Sequence, residues 1–297
     1  MTATSLVLRA NTSSSTSKNV IEMRGISTRF GDHVVHENLD LDVRAGEIFA
    51  IVGGSGSGKS SLLREMIMLN QANAGTIKIL DKELKGITEE DALDLRQRCG
   101  VMFQHGGLFG TLSIHDNIAL PLLENTDLEQ VVIDELAAWK LQMVGLKPET
   151  GLQFPAQLSG GMLKRASMAR AIALDPELLF LDEPTAGLDP NSASGIDRLI
   201  HTLHDLFNTT IVIITHDLDL LWQVTDRVAV LGDGHVIAVG SMKELATMQD
   251  PAVRSYFDGT RARAAQTQSE TSLTSIAPTT LSKAQLKAPL HVESMKE

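Results

Sequence analysis

A glycine-rich run over residues 53–60 has the residue types and the spacing that bind phosphate groups. It consists of Gly53, Gly54, Ser55, Gly56, Ser57, Gly58, Lys59 and Ser60, and Ser61 follows it. The run matches G-x-x-x-x-G-K-[ST] at every defined position, between a predicted strand and a predicted helix. Its glycines let backbone N–H groups turn inward around phosphate oxygens at the positive end of the helix. We expect Lys59 to reach the β- and γ-phosphates of a nucleotide and Ser60 to coordinate Mg²⁺. A flexible Gly/Ser linker is the alternative, but a linker has no reason to lead into a helix of apolar periodicity.

Two adjacent carboxylates follow another predicted strand. Asp182 and Glu183 come directly after the apolar residues 178–181, and open α/β sheets place ligands at the carboxyl ends of such strands. Successive side chains on a strand diverge, which gives the two carboxylates different roles. Asp182 is expected to contact Mg²⁺, usually through water, and Glu183 to polarise the attacking water as general base. An acidic pair that caps a helix is the alternative, which the phosphate loop makes the weaker interpretation.

The composition excludes several classes of protein. The 297 residues are 43% hydrophobic and 21% charged, enough for one large domain or two ordinary ones. The single cysteine, Cys99, cannot form an internal disulfide. The longest apolar run, residues 118–123, is far shorter than the roughly 20 residues that cross a bilayer, and residues 1–18 lack the pattern of a signal peptide. A net charge of −11 with 4% aromatic residues argues against nucleic acid as a partner.

The order of the predicted elements favours an α/β fold with a parallel sheet. Antiparallel strands are predicted where apolar and polar residues alternate, at residues 20–30 and 39–43. Further strands are predicted at 47–52, 178–181 and 211–214, helices at 60–69, 128–146, 161–174 and 194–207, and a hairpin at 227–239. Strands that alternate with helices pair in parallel. Residues 1–18 and 260–297 have the composition of disordered segments, so the folded domain is expected at residues 19–259.

A second anion-binding element stands before the carboxylates. Leu158, Ser159, Gly160, Gly161 and Met162 lead into the predicted helix 161–174, whose N-terminal N–H groups attract an anion. With this signature the chain resembles the ATP-binding cassette (ABC) ATPases, although a simple loop before a helix is the alternative for the segment alone. The resemblance implies a P-loop NTPase with a RecA-like parallel-sheet core, an antiparallel β-subdomain and an inserted helical subdomain at about residues 105–175. It also implies ATP and Mg²⁺ as cofactors. The implied homodimer is head-to-tail, so that Ser159, Gly160 and Gly161 of one subunit close over the ATP that Lys59 of the other subunit holds.

Four more residues match motifs of this family in order. Phe30 stands where an aromatic residue stacks on adenine, with a core-facing strand residue as the alternative. Gln104 matches the Q-loop, which senses Mg²⁺ and the γ-phosphate, and is otherwise a surface residue at a strand end. Asp189 matches the D-loop that couples the two sites, or forms an ordinary Asp-Pro turn. His216 matches the switch histidine that holds the γ-phosphate and orients water beside Glu183; a structural histidine is the alternative. The resemblance thus implies Glu183 and His216 as catalytic residues and Ser60, Gln104 and Asp182 as the residues near the metal.

Residues 103–124 narrow the resemblance to the ATPases of phospholipid-transport systems of the MlaF type. The segment FQHGGLFGTLSIHDNIALPLLE is similar to a Q-G-A-L-F-like stretch followed by N-V-A-x-P-L. Met162 stands where most importers have Gln or Glu, although a neutral substitution would explain it alone. Gly107 replaces the usual alanine, and the tail beyond Gly259 is longer than the minimal ATPase domain requires. Neither departure affects the chemistry of ATP.

The narrower resemblance implies partners and a location. The dimer is expected beneath two copies of an MlaE-like permease, whose coupling helix would enter a groove at residues 104–123. An MCE-domain periplasmic protein and a small STAS-domain subunit complete the complex. The implied function is phospholipid transport between the inner and outer membranes, which maintains outer-membrane lipid asymmetry, from the cytoplasmic face of the inner membrane with membrane contact through the permease. The alternatives are the ATPase of another importer, for instance of polar amino acids, and a soluble non-transport ABC ATPase such as one in iron–sulfur assembly. Residues 251–257 are a candidate contact to the partner ATPase.

Overall fold

A computed structural model describes residues 18–257, which form two β-sheets and the helices that cover them. The strands are β1 (Asn19–Phe30), β2 (His33–Arg44), β3 (Ile48–Gly53), β4 (Ala74–Ile79), β5 (Lys82–Glu83), β6 (Cys99–Met102), β7 (Leu178–Asp182), β8 (Thr210–Ile214), β9 (Arg227–Gly232) and β10 (His235–Gly240). The helices are α1 (Lys59–Met66), α2 (Glu89–Gln97), α3 (Ile114–Asn125), α4 (Gln130–Met143), α5 (Gly160–Ala171), α6 (Pro190–Phe207), α7 (Leu218–Val224), α8 (Met242–Thr247) and α9 (Pro251–Phe257). Two 3₁₀ turns, Pro148–Leu152 and Pro155–Gln157, lead into α5.

The larger sheet has six strands in the order β10-β9-β3-β8-β7-β6. Its strands β9, β3, β8, β7 and β6 run parallel, and β10 pairs with β9 in antiparallel orientation. The register aligns Ile51 of β3 with Ile214 of β8, and Ile214 in turn with Asp182 of β7. The carboxyl ends of β3, β8 and β7 are therefore level, which is the arrangement that open α/β sheets use to bind ligands.

The smaller sheet is antiparallel, in the order β2-β1-β4-β5. β1 pairs with both β2 and β4, so the two predicted antiparallel strands are confirmed. β2 is longer than predicted because it begins at His33, directly after the two-residue turn that follows Phe30. The fold is thus the predicted α/β class, with a parallel core sheet and a separate antiparallel sheet.

Alternate residues of the central strand β3 face opposite sides of the core. Ile48, Ala50 and Val52 pack into a cluster that includes apolar residues of α3 to α7. Phe49 and Ile51 pack instead against α1, α2 and the antiparallel sheet. All six residues of β3 are buried, as expected for a parallel strand covered on both faces. Fully burying an Ile, Val or Phe side chain contributes about 1.5–3 kcal/mol. Packing on both faces therefore fixes the position of β3, and with it the start of the phosphate loop.

A group of helices lies between β6 and β7 in the chain. α3, α4 and α5 pack on one another and fall within residues 105–175, the range predicted for the helical subdomain; the limits of that subdomain remain a prediction. Asn117, fully buried in α3, accepts a hydrogen bond from the backbone N–H of Phe109 (2.7 Å) and donates to the carbonyls of Phe109, Leu112 and Ser113. This amide therefore fixes the loop between Gln104 and α3.

No helix within residues 18–257 has the length and hydrophobicity needed to cross a bilayer. The structure does not describe residues 1–17 and 258–297, so the prediction of disorder for residues 1–18 and 260–297 lies almost entirely outside the described residues. In α9, Val253 is fully buried in the core of its own chain. Val253 is therefore packed within its own chain, and the contact of residues 251–257 with a partner ATPase stays a prediction.

Candidate functional site

Most of the predicted site residues lie at the carboxyl ends of four neighbouring parallel strands, at one edge of the larger sheet. The phosphate loop follows β3, His216 lies two residues after β8, Asp182 ends β7, and Gln104 lies two residues after β6. The sheet order β3-β8-β7-β6 makes these four ends consecutive. Residues that are up to 163 positions apart in the sequence, such as Gly53 and His216, thereby meet at one place.

The phosphate loop has a backbone that only glycine adopts easily. Gly56 (φ +80°) and Gly58 (φ +91°) are left-handed, and Gly58 is the N-cap of α1. A Cβ on Gly58 would lie 2.2 Å from Nε2 of His36, and a Cβ on Gly53 would lie 2.5 Å from the carbonyl oxygen of Leu231. By contrast, a Cβ on Gly54 or Gly56 would meet nothing within 4 Å. The loop therefore packs closely against the protein at Gly53 and Gly58 and leaves open space at Gly54 and Gly56. Such a loop can bring backbone N–H groups close to phosphate oxygens.

Lys59 begins α1 and points back into the loop. Its Nζ donates hydrogen bonds to the carbonyls of Gly53 (2.8 Å) and Gly54 (2.9 Å). Burial lowers the pKa of Lys59, whereas the charges of Asp182 and Glu183 act in the opposite direction. The ammonium is thus held at the loop carbonyls, in the place that the lysine of this motif occupies to reach the phosphates of a nucleotide. Ser60 is exposed on the first turn of α1 beside it, and Ser61 is half-buried.

Asp182 is a half-buried carboxylate at the end of β7. Burial raises the pKa of Asp182, the neighbouring Glu183 raises it further, and a hydrogen bond from the backbone N–H of Gln104 lowers it. A carboxylate that is costly to ionise gains from a nearby cation. Carboxylate, hydroxyl and amide oxygens from Asp182, Ser60 and Gln104 are the hard ligands that Mg²⁺ prefers, so the donor set fits the ion. Within residues 18–257, no three His, Cys, Asp or Glu side chains converge to hold a metal; Mg²⁺ at nucleotide sites typically takes one or two carboxylates together with phosphate oxygens.

Glu183 is held in a strained position by its neighbours. It is buried, 8% exposed, and has φ +50°, a left-handed conformation that is unfavourable for a residue with a Cβ. Nδ1 of His216 lies 2.7 Å from its Oε1, and the Thr215 hydroxyl donates to its Oε2 at 3.3 Å. The side chain of His216 is 67% exposed. The pair combines an oriented carboxylate with an imidazole that extends toward solvent, as a general base and its orienting partner require.

The signature residues and Asp189 form a second group. Ser159 caps α5 by accepting from the N–H of Met162, and Asp189 caps α6 by accepting from the N–H groups of Asn191 and Ser192, both at 3.1 Å. A Cβ on Gly160 would meet Leu188 at 3.4 Å, and one on Gly161 would meet Ser192 at 3.2 Å. The hydroxyl of Ser192 holds the pKa of Asp189 below its usual value. The structure therefore joins the signature to the Asp189 turn, whereas the four strand ends gather the phosphate loop, the carboxylates, Gln104 and His216.

Two predicted residues lie at exposed positions. Phe30, the last residue of β1, is 54% exposed, so its ring is a surface platform and the core-facing alternative does not apply. The side chain of Gln104 is exposed as well. Both are accessible to a ligand.

Sequence reasoning missed Lys164. It lies on the buried face of α5 with Ser167, Met168 and Ala171, yet it carries a charge. Its Nζ donates to the carbonyls of Gln104 and Glu183, both at 2.7 Å. The available signal was a lysine at the helical spacing of small, buried residues.

Comparisons with known proteins agree on the family. The family model described as "ABC transporter" matches residues 36–186. The intermembrane phospholipid transport system ATP-binding protein MlaF of Haemophilus influenzae is 37% identical over 242 residues, covering 82% of this chain and 91% of that protein. The probable ribonucleotide transport ATP-binding protein mkl of Mycobacterium leprae is 36% identical over 241 residues, covering 81% of this chain and 69% of that protein.

Solved structures agree with the fold. A dimeric post-hydrolysis state of the ATP-binding cassette MJ0796, bound to ADP and Pi, superposes with a TM-score of 0.69 at 27% identity, covering 75% of this chain and 98% of that one. The structure of cbiO1 from Clostridium perfringens, part of the ABC transporter complex cbiONQ, gives a TM-score of 0.70 at 26% identity, covering 84% and 98% of the two chains. The family model, the sequence relatives and the solved structures thus all point to one family. The chain belongs to the ABC transporter family, as an ATP-binding subunit that hydrolyses ATP.

Proposed function

We propose that the chain works as a head-to-tail homodimer with two composite ATP sites. In each site, Lys59 and Ser60 of one subunit bind the phosphates, and the α5 N-terminus of the other subunit covers them with Ser159, Gly160 and Gly161. Two observations support this arrangement. The phosphate loop lies between β3 and α1, whereas Gly160 and Gly161 at the start of α5 lie beside Leu188 and Ser192. The similar cassette MJ0796 is described as a dimer bound to ADP and Pi.

The proposed reaction is attack of water on the γ-phosphate. Mg²⁺, held by Ser60, Asp182 and Gln104, would neutralise charge on the phosphate oxygens. Glu183 accepts the proton of the water, and the hydrogen bond from Nδ1 of His216 keeps its carboxylate oriented. This hydrogen bond leaves Nε2 of the exposed His216 ring available to the γ-phosphate.

Two further residues complete the proposed site. The exposed ring of Phe30 offers a π-face on which adenine stacks. Asp189, in contact with the signature group through Ser192, couples the state of one site to the other.

We infer that a groove beside Gln104 receives the coupling helix of a membrane permease. The groove has a volume of about 500 Å³ and lies between α2, β6 and α5. Its rim includes Phe103, 39% exposed and adjacent to Gln104, together with Gly106 and Gly107 of the same loop. A helix in this groove would contact the segment that leads from the Mg²⁺ residues to α3, so docking and ATP chemistry share one loop.

The partners follow from the likeness to MlaF. We propose an MlaE-like permease, an MCE-domain periplasmic protein and a STAS-domain small subunit, with the ATPase dimer at the cytoplasmic face of the inner membrane. The observation that carries phospholipid as the cargo is the 37% identity to MlaF of Haemophilus influenzae across 91% of its length. The mycobacterial mkl proteins, named for ribonucleotide transport, support a ribonucleotide as the second candidate.

The experiment is purification of the membrane complex that contains this chain. Its subunits and bound lipids would be identified by mass spectrometry. The ATPase rate would be measured in vesicles of phosphatidylethanolamine and phosphatidylglycerol, with and without added uridine monophosphate. Co-purified phospholipid and an ATPase rate that responds to phospholipid are expected, with no response to the nucleotide. A response to the nucleotide alone would replace phospholipid by ribonucleotide as the cargo, and the Glu183→Gln complex serves as the inactive control.

A further inference from the structure

A buried lysine in α5 contacts two parts of the ATP site through the backbone. Lys164 is 7% exposed, and its Nζ donates to the carbonyl oxygens of Gln104 and Glu183, both at 2.7 Å. A buried ammonium is unfavourable unless its hydrogen bonds are made. Burial lowers the pKa of Lys164, and the charges of Asp182 and Glu183 act against that shift. The two carbonyl oxygens therefore stabilise the buried ammonium of Lys164.

These two carbonyls belong to segments that carry the reacting groups. Gln104 follows β6, and Glu183 follows β7. Glu183 is left-handed, with φ +50°, a conformation that costs roughly 1–2 kcal/mol for a residue with a Cβ. Its carbonyl also accepts a hydrogen bond from the N–H of Ala186 at 3.3 Å. A strained residue keeps its conformation only when its surroundings hold it, and Lys164 is one of the groups that hold this one.

Lys164 also connects this segment to the signature. Ser159 is the N-cap of α5, and Lys164 lies five residues further along the same helix, a rise of about 7–8 Å. The helix contacts the Gln104 loop a second time through Arg170, which donates to the carbonyl of Gly107 and lies over the ring of Phe109 at 4.9 Å. The α5 helix is therefore attached at its start to the signature and along its length to Gln104 and Glu183.

We propose that Lys164 is a positioning residue for ATP hydrolysis. Its two hydrogen bonds set the backbone of Glu183, and hence the direction of the catalytic carboxylate, relative to the Gln104 loop. Because α5 begins at the signature, Lys164 also transmits the position of α5 in one subunit to the carboxylate of that same subunit. This inference rests on the proposed assignment of Glu183 as general base.

Lys140 offers a matched control. It is also a fully buried lysine, but it pairs with Asp175 and lies over the rings of Trp139 and Phe207 at 5.1 and 5.5 Å. It lies in α4 and donates to no residue of the ATP site among the described contacts. Lys140→Met therefore removes a buried ammonium of similar packing without altering the carbonyls of Gln104 and Glu183.

The experiment compares Lys164→Met, Lys164→Arg and Lys140→Met by steady-state ATPase kinetics and thermal unfolding of the full chain. Lys164→Met is expected to lower kcat by about 10-fold or more with KM for ATP changed less than about threefold, since nucleotide binding through Lys59 is intact. Lys164→Arg, which keeps the donors, is expected to recover most of kcat. Lys140→Met is expected to lower the unfolding temperature and keep kcat. Wild-type kcat in Lys164→Met, or an equal loss of kcat in Lys140→Met, would overturn the proposal.

A second measurement remains informative even where Lys164→Met folds poorly. Single-turnover hydrolysis is compared for Lys164→Gln alone, Glu183→Gln alone and the double variant. If Lys164 acts through Glu183, the rate of the double variant equals that of Glu183→Gln, because the positioned group is already absent. Fully additive losses would reject the mechanism. Glu183→Gln alone tests the assignment on which this depends: a wild-type rate in that variant removes Glu183 as base, whatever the result at Lys164.

Discussion

At the scale of single residues, Glu183, the proposed general base, lies in a conformation that is unfavourable for a glutamate. Its φ of +50° and its burial would disfavour a glutamate at this place. Contacts from Lys164 to its carbonyl, and from His216 and Thr215 to its carboxylate, offset the strain. These contacts hold the carboxylate in one orientation, which is what the proposed role as general base requires.

Glu183→Gln is expected to abolish most hydrolysis while leaving ATP binding intact. Glutamine keeps the size of the side chain and its contact with His216 but cannot accept the proton, a loss of about 10²–10⁴-fold in rate. ATP should then accumulate in a closed dimer. Steady-state ATPase assays and gel filtration with ATP test both parts. Turnover at the wild-type rate would show that another group is the base.

Gly58→Ala is expected to disrupt the phosphate loop. Its Cβ would lie 2.2 Å from Nε2 of His36, and the backbone there has φ +91°. The left-handed conformation and the overpacking together cost about 2–4 kcal/mol. We expect lower stability to urea and loss of ATP binding. Gly110→Ala is the control, since a Cβ there meets nothing within 4 Å and φ is not positive; equal losses in both variants would contradict the steric argument.

The residue types of the site could be predicted from the sequence because they occur in local patterns. The phosphate loop and the Asp182–Glu183 pair are contiguous, and each stands beside an apolar strand. Lys164 could not be assigned a role, because its acceptors are backbone carbonyls 60 and 19 residues away. Side-chain-to-backbone contacts of this kind leave no pattern in the acceptor sequence.

At the scale of elements, the sequence predicted strands more securely where both faces are buried. β3, β7 and β8 were predicted within one residue at each end, since each is a short apolar run. Helix α6 begins at Pro190, earlier than the predicted residue 194, because Asp189 caps it and proline is compatible with a first helical position. β4, α2 and α3 were not predicted. In α3, Pro121 lies within the helix and interrupts the pattern from which a helix would be recognised.

The packing of α6 against α7 contains a buried acid that predicts a pH-dependent stability. Asp197, 5% exposed, has an Oδ1 atom with no hydrogen-bond partner among the described residues. Burial, followed by the charges of Asp217 and Asp219, raises the pKa of Asp197 from 3.8 to about 7, and Arg198 opposes this. Above pH 3.8 the unfolded chain releases this proton while the folded chain retains it. The stability therefore falls as pH rises from about 4 to about 7, and then becomes constant.

Asp197→Asn is expected to remove this pH-dependent loss. The gain in free energy of unfolding over wild type should grow by about 1–3 kcal/mol between pH 5 and pH 8. Urea unfolding at both values measures it. The exposed Asp205→Asn on the same helix is the control, expected to change the stability by less than about 0.5 kcal/mol at either pH. A gain for Asp197→Asn that is equal at pH 5 and pH 8 would contradict the origin in burial.

At the scale of the whole molecule, the positions of two helix N-termini, those of α1 and α5, bear on how two subunits would assemble. α1 presents the phosphate loop at the end of β3, whereas the start of α5 contacts Leu188 and Ser192 in the Asp189 turn. In the proposed arrangement, these two helix ends are the two half-sites of one subunit. In a head-to-tail dimer each half-site completes the other subunit's, which makes ATP part of the interface.

Subunit mixing tests the head-to-tail arrangement directly. Ser159→Arg places a bulky charge on the α5 N-terminus and should block only the partner's phosphate loop, while Lys59→Ala disables the loop of its own subunit. Each homodimer then has two damaged sites.

In a heterodimer of the two variants, both substitutions fall in the same composite site, and the other site contains wild-type Lys59 and wild-type Ser159. We therefore expect the doubly tagged, purified heterodimer to hydrolyse ATP well above either homodimer, by up to half the wild-type rate per dimer. If the signature acted on the phosphate loop of its own subunit, each subunit would carry one damaged site and mixing would restore nothing. Each of the three dimers carries two substitutions, one in each subunit, so a higher ATPase rate in the heterodimer reports how the two substitutions are distributed between the sites and not how many there are.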